Sequence, residues 1–376
     1  MITPRSRPLH ERWRVLGKVR GMARTDFFAA LHKAAGTDDA KSIAVGMLKG
    51  LLGGRPGWPH EGGLPSSPYP ALGLPQLDGR TSRRGDVVFI TGRFRSGSTL
   101  LWNIFRNLDG CTAYYEPHNE RRWFDPRSRG DHTDPTHRNV SDYWREYDGL
   151  EDLGNYYREE WTDRHLYMDE DFWDPGLKRY TEILMERAEG RPVLQCNRID
   201  FRLPWIRKNF PNAKIIHLYR HPRDQWVSTL MGDVARLPRD VGVAEFAEHD
   251  RFYLLRWAED LKHHFPFLDP ASAEHPYRLF YYLWKLSYIF GRRYADYSLS
   301  FERLVEGPEG PLAEAFRAIG LDDYDLPKLV PLIVRPELGR WSGFADDGWY
   351  RRHEEACETV LHDFFEGPPP RPRAHH

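Results

Sequence analysis

From residue 86 onward, short apolar runs alternate with stretches whose apolar positions recur at helical spacing. "DVVFIT" (86–91) reads as a buried strand ending at Gly92, and "STLLWNIFRNL" (98–108) as a helix with apolar residues at i, i+3 and i+4. "CTAYY" (111–115) is a second strand. Residues 117–177 then lose the pattern; they are rich in Tyr, Trp, His, Arg and Asp, and form either a lid or a partly helical cap over a site. Order returns with helix 177–190, strand "VLQC" (193–196), helix 203–210 and strand "AKIIHLY" (213–219). Helices follow at about 222–235, near 249–265 and at 276–295, then strand "YSLSF" (297–301) and helices 310–320 and 351–365. Apolar strands alternating with helices predict an α/β protein with a parallel sheet flanked by helices on both faces.

The chain before residue 86 differs. Residues 1–50 carry ten Lys/Arg against four Asp/Glu in a helical pattern, as in "TDFFAALHKAA". A docking helix or hairpin on the main body explains them, and a peripheral contact with an anionic partner or membrane surface is the alternative. Residues 53–85 are dense in Gly and Pro and read as a surface linker. The expected organisation is a basic helical extension (1–52), this linker, a core over 86–350 with the cap inserted at 117–177, and a C-terminal helix and tail (351–376).

Composition narrows the function. A formal net charge of −1 argues against nucleic-acid binding by bulk charge, so any anion site must be local. Cys111, Cys196 and Cys357 are too widely spaced for a disulfide framework or a zinc site, which suits a reducing compartment. The most apolar stretch, "LFYYLWKLSYIF" (279–290), is interrupted by Lys285 and reads as a buried helix, not a membrane span. A cytoplasmic protein is the default expectation.

Candidate chemistry begins at "FITGRFRSGSTLLWN" (89–103). Gly92-x4-Gly97 followed by Ser98 and Thr99 is the frame of a P-loop, in which glycines let the backbone curl around an anion at a helix start. The lysine that covers the β/γ-phosphates of nucleoside triphosphates is missing, and Ser98 stands in its place. Arg95, inside the loop, has a planar fork suited to tetrahedral oxyanions. A second candidate lies in "KIIHLYRHPRDQWVSTL" (214–230): Arg220 stands at a strand's carboxyl end, Pro222 suits a first helical turn, and Ser228 follows about two turns in.

Together these two motifs resemble the sulfotransferases that use 3′-phosphoadenosine 5′-phosphosulfate (PAPS). The resemblance covers roughly 86–345 and includes "FPNAK" before the second motif, "YSLSFERLVEGPEG", and "LGRWSGF" near the end. It implies that Arg95, Ser96, Gly97, Ser98 and Thr99 hold the 5′-phosphosulfate, that Arg220 and Ser228 hold the 3′-phosphate, and that Arg340 and Trp341 close over the nucleotide. It also implies PAPS as donor, adenosine 3′,5′-bisphosphate as product, and a small-molecule, glycan or peptide hydroxyl as acceptor. No metal-ligand constellation accompanies the loop, so no metal is expected. The aromatic 117–177 segment and "RFYLLRW" (251–257) are the candidate acceptor walls.

For the general base the resemblance ranks Glu116 first, since protein-tyrosine and carbohydrate 6-O-sulfotransferases carry a glutamate at the same spacing from the loop arginine. Asp200 ranks second, at the position of the histidine of the cytosolic phenol and steroid enzymes; His118, close to Glu116 in sequence, is a third choice. Arg198 would neutralise the sulfuryl oxygens. Two other classes compete. One is a GTPase-like switch, suggested by "NRID" (197–200) but lacking both the P-loop lysine and an Asp-x-x-Gly; the other is a non-catalytic nucleotide-binding adaptor.

Overall fold

Among the described residues, five parallel strands form one sheet: β1 (Val88–Thr91), β2 (Cys111–Tyr115), β3 (Arg191–Cys196), β4 (Lys214–Tyr219) and β5 (Tyr297–Ser300), arranged β2-β3-β1-β4-β5. A computed structural model describes residues 83–130, 133–231 and 237–366. The basic extension 1–52 and nearly all of the 53–85 linker therefore lie outside the described residues.

β1 is central, with Val88 paired to Val193 on one side and to Lys214 on the other. All four of its residues are buried, as expected for a parallel strand covered on both faces. The helices begin where the sequence supplies caps. α1 (Ser98–Arg106) opens from the β1 loop. α2 (Pro175–Arg187) has Pro175 in its first turn and Asp174 accepting from the Leu177 N–H at 2.8 Å. α3 (Leu203–Asn209) and α4 (Pro222–Thr229) also carry an early proline.

The helix expected near 249–265 is shorter: α5 spans Leu254–Leu261. The Asp250 carboxylate takes the Leu254 and Leu255 N–H groups at 2.8 Å and fixes its start there. α6 (Pro276–Tyr294) contains the most apolar stretch and is a buried helix, with Lys285 reaching Glu358 at 2.6 Å. Phe301, expected to end a strand, instead opens α7 (Phe301–Glu306). α8 (Glu309–Ala318) and α9 (Asp347–Phe365) follow.

One apolar cluster surrounds the sheet, and a second joins α4, α5, α6 and α9. Between β2 and α2, the described residues form no strand and only short 3₁₀ turns, held by aromatic packing such as Tyr115 stacked on Tyr143 (ring centroids 4.7 Å). Among the described residues no helix is long and apolar enough to cross a membrane.

Candidate functional site

The loop from β1 to α1 curls tightly: Arg95 has φ 66° and Gly97 φ 97°, and the Ser96 N–H reaches the Arg93 carbonyl at 3.1 Å. Both glycines are required by close approach. A Cβ on Gly97 would lie 2.3 Å from the Phe301 ring, and one on Gly92 would lie 2.5 Å from the Leu218 carbonyl oxygen. The Ser96 hydroxyl is buried without a partner in the protein. Ser98 donates to Asn197 Oδ1 at 2.8 Å, and the Thr99 hydroxyl lies 3.0 Å from that of Tyr115. The first N–H groups of α1 and the helix dipole make this loop a site for negative charge.

Two arginines converge on it. Arg95 Nε donates to Ser228 Oγ at 3.1 Å, while its Nη atoms reach Asp134 at 3.4 Å and Thr136 at 3.1 Å. Arg220 donates to the Arg95 carbonyl at 3.3 Å and lies over the Phe301 ring at 4.8 Å, and its Nε is buried without a partner. Burial pushes both guanidinium groups below the usual arginine range, and the nearby Arg340 charge adds to the depression against the pull of neighbouring carboxylates. An anion bound here relieves that repulsion.

Glu116 leaves the end of β2 with φ 43°, its N–H bonded to the Gln195 carbonyl at 2.8 Å. Its carboxylate is buried. One oxygen accepts from Asn197 Nδ2 at 2.5 Å, the other from Arg198 Nη1 at 2.5 Å and from Asn119 at 3.4 Å. Arg198 also reaches Glu120 at 2.6 Å, and the second oxygen of Glu120 accepts from the Tyr253 hydroxyl. Burial raises the Glu116 carboxyl above the ordinary range, with Arg198 opposing and Glu120 reinforcing the shift. Burial works against the Arg198 charge, but Glu116 and Glu120 hold its pKa above the usual value.

These groups share one cavity of about 900 Å³. The residues immediately after β2, β3, β4 and β5 (Glu116, Asn197, Arg220 and Phe301) all line it, together with Arg95 from the β1 loop. That is the crevice at the carboxyl ends of the strands, where open α/β sheets bind ligands. Gly97, Ser98, Thr99, Arg198, Ser228 and Arg340 line it as well, and so do Trp123, Phe252 and Tyr253 from the two stretches read as acceptor walls.

Four nominated residues do not line it: Ser96, which is fully buried, and Asp200, His118 and Trp341. Asp200 is 1 % exposed and accepts from the Thr91 and Ser287 hydroxyls and the Gly92 N–H, beneath the loop. His118 is 3 % exposed, packed among Trp161 and Tyr180, with burial and nearby arginines driving its pKa well below the usual histidine value. Trp341 turns toward α9, its ring 4.9 Å from the Arg223 guanidinium and edge-on to Tyr350. Its backbone N–H and that of Gly339 are fastened to Asp224.

Other lining groups were not foreseen. Asn197 was noticed only as part of "NRID", although its place directly after β3 was a usable signal. Asp134 and Thr136, on Arg95, and His137, whose Nε2 lies 3.3 Å from the Thr99 hydroxyl, come from a stretch with no periodic pattern, so nothing local marked them. Phe301 was hidden by being assigned to a strand.

Fold and site together define an α/β protein with a parallel five-stranded sheet among the described residues, whose glycine loop after β1 brings arginine and hydroxyl side chains, and no lysine, to the crevice. A family model described as the sulfotransferase family matches residues 87–325, more than half of the chain, and the chain belongs to that family. No curated protein matches it significantly. Similar solved structures include the sulfotransferase domain from the curacin biosynthetic pathway (15% identity, TM-score 0.38, covering 78% of this chain and 94% of that one). A sulfotransferase of Alicyclobacillus acidocaldarius (16%, TM-score 0.34, 75% and 96%) and one of Mycobacterium tuberculosis (14%, TM-score 0.35, 76% and 77%) are also similar.

Proposed function

We propose that the protein moves the sulfuryl group of PAPS to an acceptor hydroxyl by in-line displacement, with Glu116 as general base. The observation that carries this reading is a buried carboxylate, raised in basicity, in the same cavity as an anion loop built without lysine. The residues fit the donor. Arg220 lines the cavity with its buried Nε unpartnered in the protein, and the two glycines let the loop pack tightly against the Leu218 carbonyl and the Phe301 ring. Arg95, Ser98 and Thr99 would hold the 5′-phosphosulfate, and Arg220 with Ser228 the 3′-phosphate.

When bound, the donor supplies an activated sulfuryl group; the chain binds, orients and takes a proton. Glu116 receives the acceptor's proton, and its raised pKa makes it a stronger base than an exposed glutamate. Arg198, fixed by two carboxylates, supports the negative charge of the sulfuryl oxygens. Trp123, Phe252 and Tyr253 form the acceptor wall for a small-molecule, glycan or peptide hydroxyl. The core over 86–350, with its cap at 117–177, would be the catalytic unit, in a cytoplasmic protein.

A guanine-reading role for "NRID" finds no support in the geometry. Asn197 is spent on Glu116 and Ser98, and Asp200 on Thr91 and Ser287. The test is calorimetry in EDTA with adenosine 3′,5′-bisphosphate, ADP and GTP, followed by transfer of labelled sulfur from PAPS to a metabolite and glycan panel. Preference for the bisphosphate without Mg²⁺, and label transfer, are expected; Mg-dependent GTP binding overturns the assignment.

A further inference from the structure

Asn197 sits between the two halves of the site and is assigned no part in either. It is 5 % exposed, follows β3 directly, and makes three side-chain hydrogen bonds. Its Nδ2 donates to Glu116 Oε1 at 2.5 Å, and its Oδ1 accepts from Ser98 Oγ at 2.8 Å and Gln195 Nε2 at 2.7 Å. The amide's orientation follows from chemistry. An ionised carboxylate only accepts, so the nitrogen must face Glu116 and the oxygen must face the two donors. We propose that Asn197 is a positioning residue that couples the proton acceptor to the anion loop, holding Glu116 with one end of its amide and the first turn of α1 with the other.

This rests on the reading of Glu116 as the base. Asn197 and Arg198 each hold a different carboxylate oxygen, which fixes the plane of the carboxylate relative to the loop. A hydrogen bond donated to the ionised form also favours that form against burial. The other titratable groups around Glu116 are Arg198 and Cys196 at the end of β3, Tyr115 and Glu120 on either side of it in the chain, and Tyr253 from the loop before α5. Only Arg198 is cationic among them. Asn197 is therefore the closer of the two neutral donors, Asn119 at 3.4 Å being the other, that complement one cation against two acids.

Two substitutions separate this role from simple packing. Asn197→Asp keeps the volume and the acceptor facing Ser98, but turns the donor facing Glu116 into a like charge. Asn197→Ala removes both ends. The direct readout is the infrared carbonyl band of protonated Glu116, identified by its loss in Glu116→Gln and followed against pH without any donor or acceptor present.

The band's midpoint is expected to move up by about one pH unit or more in Asn197→Asp, the effect of a carboxylate placed beside another. A smaller upward move is expected in Asn197→Ala. Calorimetry should show in parallel that Asn197→Ala weakens adenosine 3′,5′-bisphosphate, because Ser98 loses its anchor. Unchanged midpoints in folded variants, with bisphosphate affinity equal to that of the parent, overturn the proposal. The base reading fails separately, by sulfuryl transfer that survives Glu116→Gln. In that case the band still shifts, and Asn197 tunes a carboxylate that is not the base.

Discussion

Replacing Arg198 by methionine removes the cation of the buried pair while keeping most of its stem. The Arg198 side chain is 1 % exposed and that of Glu116 4 %, so the variant leaves an almost fully buried carboxylate with only amide donors. Breaking a buried pair from one side costs about 3–5 kcal/mol, because the remaining charge is uncompensated. The Glu120 contact adds less than about 1 kcal/mol, since that side chain is 38 % exposed and screened by water.

The cost must depend on pH. Burial already lifts the Glu116 carboxyl above its ordinary 4.5, and losing Arg198 lifts it further. A carboxyl raised in the fold binds more protons there than in the unfolded chain, so stability falls as pH climbs from the ordinary value through the raised one. The Arg198→Met deficit should be near its full size at pH 8 and clearly smaller at pH 5, where Glu116 is increasingly neutral. Urea unfolding of the parent, Arg198→Met, Glu116→Gln and the double variant at both pH values measures this. The double variant should regain much of the loss at pH 8, having no buried charge left to strand. An equal deficit at both pH values, with no recovery in the double variant, would refute the electrostatic account and leave packing as the role of Arg198.

Five further substitutions have expected outcomes. Arg220→Ala should weaken adenosine 3′,5′-bisphosphate by about 2–4 kcal/mol and spare an analogue without the 3′-phosphate, as calorimetry can determine; equal losses would make Arg220 a fold residue. Gly97→Ala puts a Cβ into the Phe301 ring and a left-handed φ on alanine, and should cost about 2–5 kcal/mol in thermal unfolding together with nucleotide binding. Asp134→Asn should tighten bisphosphate binding by about two- to fivefold, because the carboxylate of this partly exposed pair competes for Arg95; weaker binding would contradict this. Asp200→Asn should lower stability by about 1–3 kcal/mol with turnover retained, whereas Glu116→Gln should lower kcat by about 10²–10⁴-fold with nucleotide affinity nearly unchanged.

What could be read in the sequence follows how each group is held. β1, β3 and β4 were legible because inner parallel strands buried on both faces are short apolar runs, and β1 and β4 match "DVVFIT" and "AKIIHLY" to within two residues at each end. The partly exposed edge strands β2 and β5 showed as short aromatic-rich runs. Helix limits were less legible where a side chain sets them: Asp250 starts α5 later than the apolar pattern suggested, and Ser300, accepting from the Arg303 N–H at 3.4 Å, starts α7 where a strand was expected to continue. The stretch between β2 and α2 carries no period because its aromatic residues pack on one another and on the sheet, so the contacts of Asp134, Thr136 and His137 had no local signature.

The site divides along the same line. Arg95, Glu116, Arg198 and Arg220 stand in or next to turns that directly follow strands, so strand register alone delivers them to one crevice, and spacing was enough to nominate them. Asp200 shows the limit of spacing. It lies only two residues beyond Arg198, but the chain there has already entered the 3₁₀ turn Asp200–Arg202 that leads into α3. Its carboxylate consequently faces back toward the sheet, where Thr91, Ser287 and the Gly92 N–H claim it and the Arg93 charge opposes the rise in its pKa caused by burial. A carboxylate with those partners braces the first glycine of the loop from below. Of these two acids, the one that lines the cavity with the loop is Glu116, delivered by β2, and the direction in which the chain leaves each strand decides which of the two faces that cavity.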